Sequence, residues 1–115
     1  MAVITLWHNP RCSKSRQTLA LIEEAGAPVT LRKYLEDAPT LAELEQAQRA
    51  LDLPVIEMLR PSEKRFKELG LTRGDDAGIL LAAAAANPIL IERPIAFKGG
   101  RAIIGRPPEA VKELL

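Results

Sequence analysis

One cysteine, Cys12, lies in the run His8-Asn9-Pro10-Arg11-Cys12-Ser13-Lys14-Ser15-Arg16. The run falls between an apolar, β-branched segment and a segment with helical periodicity, so the thiol is predicted at a helix N-terminus. There the unpaired backbone N–H groups and the helix dipole favour a thiolate over a thiol. Arg11, Lys14 and Arg16 add positive charge to the same loop. Amides and cations that stabilise a thiolate can also hold the oxygens of a tetrahedral anion. The loop therefore reads as a nucleophile sharing its place with an oxyanion site, with Asn9, Arg11, Ser13, Lys14, Ser15 and Arg16 as candidate substrate-binding residues. A small buried hydrophobe is the competing use of a lone cysteine, and the basic, helix-opening surroundings argue against it here.

Ser15 stands where a second cysteine would complete a Cys-x-x-Cys pair. No intramolecular disulfide can then close a turnover, and an outside thiol must resolve any adduct on Cys12. His8, four residues before the cysteine, could orient the thiolate or stabilise it as an imidazolium, though a histidine ending a strand also serves as a hydrogen-bonded filler.

The elements that must position this loop can be read along the chain. Residues 2–7 form an apolar run stopped by Asn9-Pro10, as expected of a buried strand. Residues 13–25 place Leu19, Leu21 and Ile22 on one helical face, with Gly26 as the stop. Residues 29–35 read as a second strand, and strand, helix, strand in this order predicts a right-handed parallel unit. Thr40 and Glu43 form a capping-box signature for a helix ending near Pro54. A short helix is predicted over 55–59, another capped by Ser62 and ending at Gly70, and a buried apolar helix at 79–86 opened by Asp75-Asp76 and ended by Asn87-Pro88. Residues 95–97 and 102–104 flank Lys98-Gly99-Gly100-Arg101 as an antiparallel hairpin, and Pro107-Pro108-Glu109 starts a last helix. The expectation is one α/β domain over 1–115 with a thioredoxin-like mixed sheet, its βαβ and ββα halves separated by a helical segment.

Composition bounds the function. With 16 basic and 15 acidic residues the net charge is +1, too little to hold nucleic acid or an anionic membrane by long-range attraction. The first residues lack the basic flank and long apolar run of a signal peptide, and the longest apolar run, 79–86, is far short of the ~20 residues that cross a bilayer. One cysteine and one histidine cannot build a structural zinc site. A soluble, cytoplasmic protein without metal, nucleic-acid or membrane partners is expected.

The Cys12 loop followed by Thr18-Leu19 resembles the active-site loop of glutaredoxin-dependent arsenate reductases, the ArsC family. Tyr34-Leu35-Glu36, Leu59-Arg60, the run Asn87 to Ile95 and Gly105-Arg106-Pro107-Pro108 are similar to that family in order and spacing, so the resemblance covers essentially the whole chain. With its end at Leu115 and with Pro61 after Arg60, it is most similar to the short, chromosomally encoded ArsC-like branch. The resemblance implies a thioredoxin-like fold, a catalytic Cys12 attacking arsenate or a related oxyanion, and Arg60, Arg93 and Arg106 around that oxyanion. It also implies a structural cis-proline at Pro94, no bound cofactor, glutathione as co-substrate and glutaredoxin as partner. Guanidinium groups suit the task, since each can give two parallel charge-assisted bonds and never loses its charge. Two rival readings share the fold. One is a regulator resembling the Spx branch, which binds RNA polymerase, and Ser15 and the three arginines speak against it. The other is a monothiol oxidoreductase acting on another substrate.

Overall fold

The computed structural model describes residues 3–115. The chain folds into two compact units, one made of residues up to Asp37 together with Arg93–Leu115, the other of Ala38–Glu92.

The first unit is built on a four-stranded sheet. Strand β1 (Ile4–Trp7) leads through the Cys12 loop into helix α1 (Ser13–Glu24), which returns to β2 (Val29–Arg32); after the second unit come β3 (Ile95–Lys98) and β4 (Arg101–Ile104). The order is β2-β1-β3-β4, with β1 parallel to β2 and antiparallel to β3, and β3 antiparallel to β4. The parallel pair needs a crossover, and α1 supplies it; the antiparallel pair needs only the Gly99-Gly100 turn, where Gly99 takes φ 62°. This is the mixed α/β sheet the sequence predicts, in its βαβ and ββα halves. The part of the first predicted strand at Ala2 lies outside the described residues.

The buried faces of these strands meet α1 and the C-terminal segment. Ile4, Leu6, Ile22, Ala96, Val111 and Leu114 form one apolar cluster. Helix α1 stops as predicted: Gly26 at φ 72° gives its N–H to Glu23 O at 3.0 Å and Ala27 N bonds back to Ile22 O at 3.3 Å. Strand β2 is shorter than expected. Lys33 O accepts the N–H groups of both Glu36 and Asp37 at 2.9 Å, and the turn so closed takes residues beyond Arg32 out of the ladder. The last predicted helix is a 3-10 segment, Pro108–Leu114.

The second unit is helical. Helix α2 (Leu41–Leu51) has the capping box its sequence announces, with Glu43 N–H donating to Thr40 Oγ1 at 3.1 Å and Thr40 N–H donating to Glu43 Oε1 at 3.0 Å. It packs against α4 (Ala77–Ala86). Between them lie a 3-10 turn at Val55–Met58 and the short α3 (Lys64–Glu68). Two expectations are corrected here. The residue capping α3 is Glu63, not Ser62, and it makes no side-chain cap. Helix α4 is only partly buried: Leu80, Leu81 and Ala84 face inward while Ile79 is 52% exposed. Asp75 closes the turn before it, accepting from Thr72 N at 2.9 Å and Thr72 Oγ1 at 3.0 Å. A further 3-10 turn, Pro88–Leu90, follows Asn87. Among the described residues no helix is long and apolar enough to cross a membrane.

Candidate active site

Cys12 is the N-cap residue of α1, in extended conformation at φ −93° and ψ 124°. Its own N–H is tied to Asn9 O at 3.0 Å and its carbonyl accepts Arg16 N at 3.0 Å, so the sulfur sits where the helix begins. Burial is the largest single influence on its titration and pushes the thiol pKa up. Hydrogen bonding from the Ser15 and Lys14 amides and from the Arg93 side chain, with the Arg93 charge, outweighs it, and the net result is a pKa below the ordinary thiol value.

Arg93 and Arg106 reach the sulfur from the other half of the sheet. Arg93 hydrogen-bonds Cys12 and lies beside the hydroxyl of the fully buried Tyr34. Burial disfavours its charge, and the bonds to Cys12 and Tyr34 more than restore it. Arg106 gives its Nε–H to Arg93 O at 2.9 Å and holds Nη2 3.8 Å from Cys12 Sγ, a long contact suited to sulfur. The peptide bond between Arg93 and Pro94 is cis, as the family resemblance implies, and so is that between Arg106 and Pro107. Arg60 belongs to the second unit, where its Nε lies 3.1 Å from Glu63 Oε1 and its Nη1 3.5 Å from Glu92 Oε1.

The remaining loop residues divide by what their side chains do. Asn9 is buried, and its Oδ1 accepts Arg11 N–H at 3.0 Å. Ser15 is fully buried; its Oγ accepts Asn9 N–H at 3.0 Å and lies 2.7 Å from His8 Nδ1. Arg16 donates from Nη1 to Pro10 O at 2.9 Å. These side chains shape the loop. Arg11, Ser13 and Lys14 are exposed. His8 is bonded to Ser15, and its pKa is lowered, first by burial and then by the charges of Lys33 and Arg16. Those influences oppose the imidazolium form considered from the sequence.

Three residues were not singled out for the site from the sequence. Tyr34 supports Arg93, and its signal was a tyrosine with a buried ring, whose hydroxyl usually finds a partner. Thr18 and Gly105 pack together beside Pro94, a juxtaposition no local pattern announces. Among the described residues no group of three His, Cys, Asp or Glu side chains gathers as for a metal ion.

A thiolate-favouring sulfur at a helix N-terminus, with two guanidinium groups brought to it by a β-hairpin half, is a constellation that can also be sought in other proteins. The ArsC family model matches residues 7–114. The chain belongs to the ArsC family. A Neisseria meningitidis relative named arsenate reductase is 43% identical over the full length of both chains. The Escherichia coli relative named YfgD is 40% identical over 97% of this chain and 96% of its own. Among solved structures, the arsenate reductase from Vibrio cholerae superposes with a TM-score of 0.95 at 45% identity, covering 99% of this chain and 98% of the other. This ArsC-family chain has the thioredoxin-like α/β fold of that structure.

Proposed function

We propose that this protein is an arsenate reductase that works through a covalent adduct on Cys12, as its similarity to proteins named arsenate reductase suggests. The observation that carries the reading is the convergence of the Arg93 hydrogen bond and Arg106 Nη2, at 3.8 Å, on the sulfur at the N-terminus of α1.

In this reading the thiolate attacks the arsenic of arsenate. A sulfur–arsenic bond forms and one oxygen leaves as water or hydroxide, while Arg93, Arg106 and the α1 amides neutralise charge on the remaining oxygens. Arg60 is assigned a place around the oxyanion by family resemblance. Arsenic is still pentavalent at this stage. Two electrons must come from two thiol groups, which leave as a disulfide; water then displaces the Cys12 sulfur from the trivalent arsenic, breaking the sulfur–arsenic bond, releasing arsenite and regenerating the thiolate. With Ser15 in place of a resolving cysteine, those thiols come from outside, and glutathione and glutaredoxin are the proposed donors.

The test is arsenate-dependent NADPH consumption by the purified protein with glutathione, glutaredoxin and glutathione reductase, with arsenite quantified as product. Turnover lost in Cys12→Ser is the expected result. Absence of turnover from a protein whose Cys12 alkylates readily would overturn the assignment.

A further inference from the structure

Gly105 differs from the other six glycines of the chain. A Cβ built on its backbone would lie 2.5 Å from Thr18 Oγ1, 2.8 Å from Pro94 Cγ and 3.2 Å from Thr18 Cγ2, whereas at the others nothing stands within 4 Å. Gly105 is not among the glycines with positive φ, so the position calls for missing volume and not for backbone freedom.

What fills that volume is fixed in place. Thr18 is fully buried on α1, and its hydroxyl donates to Lys14 O at 2.8 Å, which sets its rotamer against the helix. On the other side, Gly105 N–H donates to Pro94 O at 2.9 Å, and the next residue, Arg106, gives its Nε–H to Arg93 O at 2.9 Å. The Arg93-Pro94 and Gly105-Arg106 segments are thus laced by two successive hydrogen bonds, and Gly105 lies against the Thr18 side chain of the helix that begins at Cys12.

We propose that Thr18 and Gly105 are positioning residues, forming a fitted seat that sets how far the two arginine-bearing segments stand from the Cys12 end of α1. This rests on the reading of Cys12 as a thiolate nucleophile served by Arg93 and Arg106. Neither residue touches the sulfur. A methyl group on Gly105 would have to move its neighbours by about 1 Å to reach ordinary contact at roughly 3.5 Å. The Arg106 Nη2 contact with Sγ, already 3.8 Å long, cannot absorb that shift and still bond.

The experiment is the pH dependence of Cys12 alkylation by iodoacetamide in the reduced, full-length protein. It uses no arsenate, so it separates failure of this inference from failure of the reductase assignment. Gly105→Ala is expected to move the midpoint upward and to slow alkylation below the midpoint by about threefold to tenfold, one pKa unit being tenfold. Thr18→Ala/Gly105→Ala makes room for the methyl group and is expected to recover at least half of that loss, although it also removes a buried side chain. A merely structural role predicts the opposite ranking. A folded Gly105→Ala protein with the wild-type curve overturns the inference, as does a double variant no closer to wild type than the single one. Should Gly105→Ala not fold, judged by circular dichroism and Trp7 emission, Thr18→Ala alone decides: a loosened seat raises its midpoint, and a wild-type curve overturns the inference. A wild-type midpoint at the ordinary thiol value overturns the thiolate reading and the seat with it.

Discussion

His8 Nδ1 and Ser15 Oγ stand 2.7 Å apart in the buried part of the Cys12 loop. The same Oγ accepts Asn9 N–H at 3.0 Å; its hydroxyl still has one proton to give and one lone pair to receive, so the direction of the bond to the imidazole is set by the His8 tautomer. We predict the neutral tautomer with its proton on Nε2, in which the Ser15 hydroxyl donates to Nδ1. Nitrogen-15 NMR at pH 7 should find Nδ1 unprotonated, and a signal from Nδ1–H would sink this assignment.

Two further outcomes follow from the burial of this pair. Because the folded His8 pKa lies below 6.5, the unfolded chain takes the proton first as the pH falls. The stability contributed by neutral His8 is complete above about pH 6.5 and drains away as the pH drops toward the folded value. Melting curves between pH 8 and 5 should show that loss. Ser15→Ala, which strands the buried Asn9 N–H and His8 Nδ1, should cost about 1–3 kcal/mol in denaturant unfolding.

Arg93 is expected to control the state of the thiol. Its hydrogen bond and charge help hold the Cys12 pKa down against burial, so Arg93→Ala should return the pKa toward or above the ordinary thiol value. The native thiolate's stabilising contribution is present above the unfolded thiol pKa, about 8.5, and is lost as the pH falls through the lowered native value. Arg93→Ala should flatten that part of the stability curve. Arsenate kcat/KM should fall by about 10² to 10³, the usual loss on removing one oxyanion donor. Thiolate absorbance near 240 nm and steady-state kinetics read both effects, and an unshifted thiol titration would count against the Arg93 bond.

Much of this arrangement is legible in the sequence, for reasons that also mark where it is not. The strands at Ile4 and Ile95, the α1 stop at Gly26 and the Thr40 capping box are local signals, and each reappears in the fold. Buried Ser15 and Thr18 went unread as inner positions of α1 because polar side chains do not count toward an apolar face; there Ile22 is the apolar member of the buried set. In α4, with Ile79, Leu80 and Leu81 beside alanines, periodicity points to no face, so the exposure of Ile79 had to come from packing. The approach of Gly105 to Thr18 spans residues far apart in sequence, and only the sheet brings them together.

The capping box of α2 offers a stability test remote from the thiol. Thr40 and Glu43 each accept the other's backbone N–H, at 3.1 and 3.0 Å. Thr40→Ala should cost about 1 kcal/mol. The double variant with Glu43→Ala should cost less than the sum of the two single ones, since neither bond acts independently of the turn they share. Denaturant unfolding of the four proteins measures the coupling, and strict additivity would show that the two bonds do not cooperate.

Arg60 presents the sharpest test of a role assigned by family resemblance. Its guanidinium is already engaged by Glu63 at 3.1 Å and Glu92 at 3.5 Å, and only 19% of the side chain is exposed. Any oxyanion it serves must share it with two carboxylates, or displace one of them. Arg60→Ala should therefore do two separable things. It should remove one ion pair from each of Glu63 and Glu92 and lower stability by about 1–3 kcal/mol. If Arg60 also meets the substrate, the arsenate KM should rise by about tenfold, the equivalent of 1.4 kcal/mol of binding, and Glu92→Gln should lower it by releasing part of the guanidinium. We expect both KM changes. A destabilised Arg60→Ala protein with an unchanged KM would confine Arg60 to its ion pairs and leave the oxyanion to Arg93, Arg106 and the amides of α1.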